Sequence, residues 1–179
     1  APWVFEIPQH LPDGVTMLYN FESGAVKCQL GRYRSGGDYW LSYVGPSPAF
    51  ERVAESARHA GSRLGAKIQV ACSHECATVP YVPVPGLLYR KYRAMRAAGC
   101  TSVMQCWYFG NYPGLMNRAA GELAFSDFTE SEDEFLLRLA KPDWGVDAAA
   151  MAKLWKDFSD AYAEYPLSND MQYYGPFHA

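Results

Sequence analysis

The chain has 179 residues, 49% hydrophobic and 20% charged, a balance that builds a core and excludes an intrinsically disordered chain. Its net charge of −3 offers no basic field to nucleic acid or an anionic membrane, and no apolar run approaches the roughly 20 residues of a membrane helix. Aromatic residues reach 15%, which supplies either large core side chains or stacking faces for flat ligands such as sugars.

The run Val15-Thr16-Met17-Leu18-Tyr19 predicts a first strand, closed by the polar cluster Asn20-Phe21-Glu22-Ser23-Gly24. From Gly31 to Asp38 the chain is rich in Gly, Arg and Ser and reads as a loop. Tyr39-Trp40-Leu41-Ser42-Tyr43-Val44 predicts a second strand, ended by Gly45-Pro46-Ser47. Ser47 then caps a helix with Pro48 at its first position. Phe50, Val53, Ala54, Ala57 and Leu64 keep roughly helical spacing, and Gly61 and Gly65 mark the exit.

The alternation repeats. Ala66 to Cys72 predicts a third strand running into Ser73-His74-Glu75-Cys76. Beyond the proline-rich stretch from Pro80 to Pro85, a helix is expected from about Gly86 to Ala98, with Leu88, Tyr92 and Met95 as its buried stripe and Gly99 as its stop. Thr101 to Trp107 predicts a fourth strand, ending in Tyr108-Phe109-Gly110-Asn111-Tyr112-Pro113-Gly114. Ser131 to Lys141 reads as an acidic-headed helix carrying Phe135, Leu136 and Leu139. Asp147 caps a longer helix to about Tyr165, with Met151, Leu154, Trp155, Phe158 and Tyr162 on one apolar face. The aromatic tail from Met171 to Phe177 is expected to pack on the rest.

Strands separated by helices imply parallel pairing and an α/β fold. About four parallel strands are expected, whereas a (β/α)8 barrel closes with eight in roughly 250 residues. Four leave either an open sheet or half of a barrel completed by something else. No linker or repeat divides the chain, so it reads as one domain over 1–179, barrel-like over 1–125 and helical over 126–179.

In parallel α/β folds the chemistry sits at the carboxyl ends of the strands. Those ends offer Glu22, Gly45-Pro46-Ser47, His74-Glu75 and Trp107-Tyr108. Two carboxylates and an aromatic platform on one rim suit glycoside hydrolysis: one carboxyl protonates the leaving oxygen, the other attacks or activates water, and a ring stacks on the sugar. Glu75 leads as general acid or nucleophile, with a carboxylate tied to backbone or an arginine as its structural alternative. Glu22 is the second candidate, against an ordinary turn carboxylate, and Asp38 belongs at the wrong end of its strand. Trp107 and Tyr108 are candidate substrate contacts, with core packing as the alternative for Trp107. His74 beside Glu75 and Asn111 in the turn after the fourth strand complete the substrate-binding set. Arg32 and Arg34 either bind a substrate carboxylate or sulfate or are solvated loop charges.

Cys72-Ser73-His74-Glu75-Cys76 holds three potential metal ligands in five residues, but the spacing is not that of a zinc site and no second cluster follows, so no metal and no cofactor are expected. The five cysteines are too few and scattered for a disulfide scaffold; mostly reduced thiols and a cytoplasmic location are expected. The chain opens Ala1-Pro2-Trp3-Val4 without a signal-peptide pattern or an initiator Met, which reads as a processed chain or a piece of a longer polypeptide.

Several segments together carry a resemblance: Tyr43-Val44-Gly45-Pro46-Ser47-Pro48, Glu75-Cys76-Ala77-Thr78-Val79-Pro80-Tyr81-Val82-Pro83-Val84, Trp107-Tyr108-Phe109-Gly110-Asn111-Tyr112-Pro113, and Trp155 to Tyr162 followed by Tyr173-Tyr174-Gly175-Pro176. From Val15 to Pro176 the chain resembles the carboxy-terminal half of a bacterial TIM-barrel family, glycoside-hydrolase-like and loosely similar to family 20 glycosidases. The resemblance implies half a barrel, with Glu75 in the family's Glu-Cys-Ala-x-Val-Pro motif. The expected function is therefore a glycoside-hydrolase-like domain acting on carbohydrate through rim carboxylates. A non-catalytic carbohydrate-binding or structural half-barrel, or an inactive fragment, stands as the alternative. A half-barrel exposes two strand edges and an apolar interior, so the expected partner is a second copy or a segment carrying the missing N-terminal half.

Overall fold

The computed structural model describes residues 2–37, 40–73, 79–80, 82–106 and 114–166. Short 3-10 turns at Pro2–Phe5 and Ile7–His10 lead into strand β1 (Thr16–Asn20), followed by β2 (Val26–Gln29) and β3 (Arg32–Ser35). Then come helix α1 (Pro48–Ala60), β4 (Arg63–Gln69), the short strands β5 (Cys72–Ser73) and β6 (Val79–Pro80), α2 (Pro85–Ala97) and β7 (Ser102–Cys106). Three further helices, α3 (Leu115–Ala124), α4 (Glu132–Trp144) and α5 (Ala148–Ala163), end the described chain. Among the described residues no helix is long and apolar enough to cross a membrane.

The helix boundaries follow local chemistry. Ser47 Oγ accepts from Phe50 N at 3.2 Å to cap α1, and Gly61 closes it in the left-handed region at φ 70°. At α4, Ser131 Oγ accepts from Glu134 N at 3.3 Å while Glu134 Oε2 accepts from Ser131 N at 2.7 Å, a reciprocal capping box. Asp147 stands before α5 as expected, although its side chain makes no cap bond.

The main sheet is parallel in the order β1-β4-β7, with Leu18 opposite Gly65 and Gly65 opposite Ser102. Each crossover carries the chain to the next strand in the same direction. Right-handed crossovers then put α1 and α2 on one face. Leu64, Ala66 and Ile68 of β4 accordingly share a buried core with Phe50, Val53 and Ala57 of α1 and Leu87, Leu88 and Met95 of α2. Alternate residues point the other way. There Leu18 and Met104 are 40% and 47% exposed, so this face is partly open along the two outer strands, while Gly65 and Gln69 of the central strand are buried.

A second helical layer covers α2. Arg90 pairs with Glu132 of α4 at 2.6 Å and with Asp160 of α5 at 2.5 Å. Gly86 N donates to Ser159 Oγ at 3.1 Å, and a Cβ on Gly86 would lie only 2.7 Å from Glu132 Oε1. Only glycine lets these helices approach so closely. Lys27 Nζ donates to Ala163 O at 2.5 Å, placing a cation on the negative end of α5.

Three expectations are corrected. Of the second strand expected over 39–44, the described residues 40–44 are turn and coil, so among the described residues the parallel sheet has three strands where four were expected. Trp40 and Leu41 are apolar because the loop plugs them into the interior, both being fully buried, and a short apolar run looks alike in either setting. Conversely, the expected loop after Gly31 contains β3, which pairs antiparallel with β2 through a turn at Leu30 and Gly31, at φ 52° and 70°. A leucine at the first position of such a turn hides the hairpin, because Asn or Gly is the usual occupant. The third strand also ends at Gln69, with Cys72–Ser73 separate and paired to β6.

Candidate functional site

The carboxyl ends of the three parallel strands converge on Glu22. Asn20 Oδ1 accepts from Glu22 N at 3.0 Å and Ser23 N at 2.9 Å, which turns the chain sharply as it leaves β1. Glu22 Oε1 accepts from Gln69 N at 2.9 Å, at the end of β4, and pairs with Lys91 Nζ from α2. Glu22 Oε2 accepts from Trp40 N at 2.9 Å, while Lys91 Nζ also donates to Trp40 O at 2.8 Å. Glu22, Lys91 and Trp40 are all fully buried.

Both oxygens of Glu22 are therefore occupied by fixed donors, and no solvent reaches them. The carboxylate ties together the end of β1, the end of β4, the loop at Trp40 and the middle of α2. Close beside it, Gly45 at φ 84° lies against the Phe21 ring, where a Cβ would fall 2.5 Å from Cε1. A buried, charge-paired and hydrogen-bonded carboxylate is a strong clamp, because each partner depends on the others for its lost hydration.

The thiol of Cys106 sits at the same edge, 3.2 Å from Ile68 O. Burial pushes its pKa up to about 11, with the Glu22 charge adding to the rise and Lys67 and Lys91 opposing it. Burial alone raises Cys100 to about 12. Both remain protonated near neutral pH and behave as small apolar side chains.

Of the residues singled out in the sequence, His74, Glu75, Cys76, Trp107, Tyr108 and Asn111 lie outside the described residues. Glu22 is thus the one member of the predicted set placed here, and its enclosure favours the structural alternative over direct contact with a substrate. Tyr43 is half-buried and donates to Pro46 O at 3.0 Å, so its hydroxyl holds the loop before α1. Arg32 and Arg34 lie on exposed β3, and neither forms an ion pair with a described residue. Among the described residues no group of three or more His, Cys, Asp or Glu side chains is placed to hold a metal.

Lys91 was not foreseen. Its signal was present: it falls on the buried stripe of α2, in step with Leu87, Leu88 and Met95, where a lysine needs a carboxylate. Concave regions lie beside the sheet and among the helices. A hollow of about 190 Å3 at the start of β7, lined by Tyr92, Met95, Cys100 and Val103, lies at the opposite edge from Glu22. A larger cleft of about 510 Å3 lies between α3, α4 and α5.

No protein-family model, no curated protein and no solved structure matches the chain.

Proposed function

We propose that this chain is part of a (β/α) barrel of glycoside-hydrolase type, acting on carbohydrate at the edge where its parallel strands end. The observation that carries the reading is the strand order β1-β4-β7, advancing in one direction with, among the described residues, a helix layer on one face. A doubly wound sheet would reverse direction and cover both faces; a barrel wall does neither. The sequence resemblance supplies the carbohydrate.

In this reading Glu75, two residues beyond β5, is the acting carboxylate. It either protonates the glycosidic oxygen or attacks the anomeric carbon, depending on its distance from a second carboxyl. Glu22 serves as the anchor that shapes the rim, so the second carboxyl comes from the half that completes the wall. That half is a second copy or an N-terminal segment, and the open face with Leu18 and Met104 supports its presence. His74, Trp107, Tyr108 and Asn111 line the sugar. A cytoplasmic setting belongs to this reading through the few, scattered cysteines of the sequence.

The enclosure of Glu22 favours one second reading, a carbohydrate-binding or structural half-barrel without turnover. Hydrolysis of aryl glycosides separates the two. Glu75→Gln is expected to abolish turnover and leave the melting temperature unchanged. Undiminished turnover in Glu75→Gln ends the assignment, and no turnover in the intact assembly favours the binding reading.

A further inference from the structure

The cleft between the outer helices is not used by the rim site. Gly114, Leu115, Arg118, Asp143, Trp144 and Trp155 line its volume of about 510 Å3, within the roughly 300–1,000 Å3 usual for small-ligand sites. Trp155, 5% exposed, belongs to the core and forms the floor with Leu115. Trp144 stands in the wall with 44% of its surface open to solvent. Arg118 Nη1 meets Asp143 Oδ2 at 2.8 Å, and Nη2 donates to Leu139 O at 2.7 Å, so the guanidinium is fixed at the cleft.

Its location follows from the run of α3. Leu123 flanks Val103 near the start of β7, and Ala120 O lies 3.5 Å from Gln105 Nε2 near its end. The first turn of α3, at Leu115, therefore projects past the strand ends, toward the edge where Glu22 sits. An anion entering this cleft would meet the Asp143 carboxylate, and a cation would meet Arg118. A wholly apolar ligand would cover the ion pair and return nothing for its hydration. A neutral ring with an apolar face and a hydroxylated rim satisfies every wall: the face stacks on the indole, and the hydroxyls reach both a fixed donor and a fixed acceptor.

We infer that the cleft between α3, α4 and α5 is a saccharide subsite, with Trp144 as stacking platform and Arg118 and Asp143 as hydroxyl partners for an uncharged sugar. The inference rests on the carbohydrate reading of the rim but does not require Glu75. It is tested by titrating the full chain with neutral pentasaccharides derived from cellulose, starch and chitin, reading tryptophan fluorescence and calorimetric heat. Trp144→Ala is expected to weaken binding about tenfold, and Asp143→Asn by a smaller factor, with melting temperatures near the parent value. Trp144→Phe, which keeps a ring, is expected to retain most of the affinity. Unchanged affinity in Trp144→Ala overturns the inference, as does the absence of binding by any of the three sugars. A chain that binds through Trp144 but hydrolyses nothing keeps the subsite and removes the hydrolase reading. Hydrolysis with an unaltered KM in Trp144→Ala keeps the hydrolase reading and removes the subsite.

Discussion

Replacing Lys91 by Met tests the clamp at the strand ends most directly. The substitution keeps the length and apolar stem of the side chain, so it removes the charge with little change in volume. Glu22 would then remain fully buried, still accepting from the backbone N–H groups of Gln69 and Trp40 but without the Lys91 ammonium. Trp40 O would also lose the shorter of its two bonds, keeping the Tyr43 N–H at 3.3 Å. Breaking a buried ion pair from one side costs about 3–5 kcal/mol, and the N–H bonds from Gln69 and Trp40 hold the value toward the lower end, about 3–4 kcal/mol. For a chain of this length each kcal/mol lowers the melting temperature by about 2–4 °C, so a fall of roughly 6–16 °C is expected by calorimetry. Glu22→Gln should also destabilise, because one amide oxygen faces two N–H donors. The double variant should lose less than the sum, by about 2 kcal/mol of coupling. A loss below about 1 kcal/mol for Lys91→Met, or strict additivity in the double variant, would show that the pair does not hold the rim.

Two smaller predictions follow from titratable groups. Glu134 accepts from Ser131 N and Oγ, which lowers its pKa from 4.5. A depressed carboxylate contributes stability that is present above its unfolded value and lost as pH falls through the folded one, so the first turn of α4 should fray only below the ordinary carboxylate range. Carboxyl NMR should place Glu134 under 4.5, and a value at or above that overturns the capping-box argument. Burial holds Cys106 near 11 and Cys100 near 12, whereas Cys28 is exposed. Alkylation at pH 8, mapped by mass spectrometry, should therefore label Cys28 well before either, and equal labelling of Cys106 would contradict its burial.

Wherever the physics is local, the sequence carries the structure openly. Ser47 with Pro48 starts α1, Gly61 ends it, and Ser131 with Glu134 starts α4, because a cap needs only residues within one turn. The unread helix α3 was equally accessible, since Met116, Ala119, Ala120 and Leu123 keep helical spacing on its buried face. The misread segment, 40–44, failed for the opposite reason. Trp40 and Leu41 are apolar for the sake of contacts made elsewhere, and Trp40 is held by Glu22 and Lys91, which lie 18 and 51 residues away. Glu22 itself was legible as a residue at a strand end. Its partners were not, because the Glu22 to Lys91 pairing spans 69 residues and depends on how α2 lies across the sheet.

The clamp and the open face bear on one question, namely what the three-stranded sheet is built to do. A parallel sheet normally buries both faces, and its strands read as continuous apolar runs. Here β4 buries Leu64, Ala66 and Ile68 toward the helices, while the face turned away carries buried Gly65 and Gln69 and half-buried Lys67, with exposed Leu18 and Met104 on the neighbouring strands. The strand ends of the sheet must hold their spacing against the pull of long loops, and β1 is followed by the longest connection in the described sheet, from Phe21 to Ser47. Glu22 answers that need by fastening the connection at Trp40 to the end of β4 and to α2. The rigidity of these strand ends is thus supplied from within this chain.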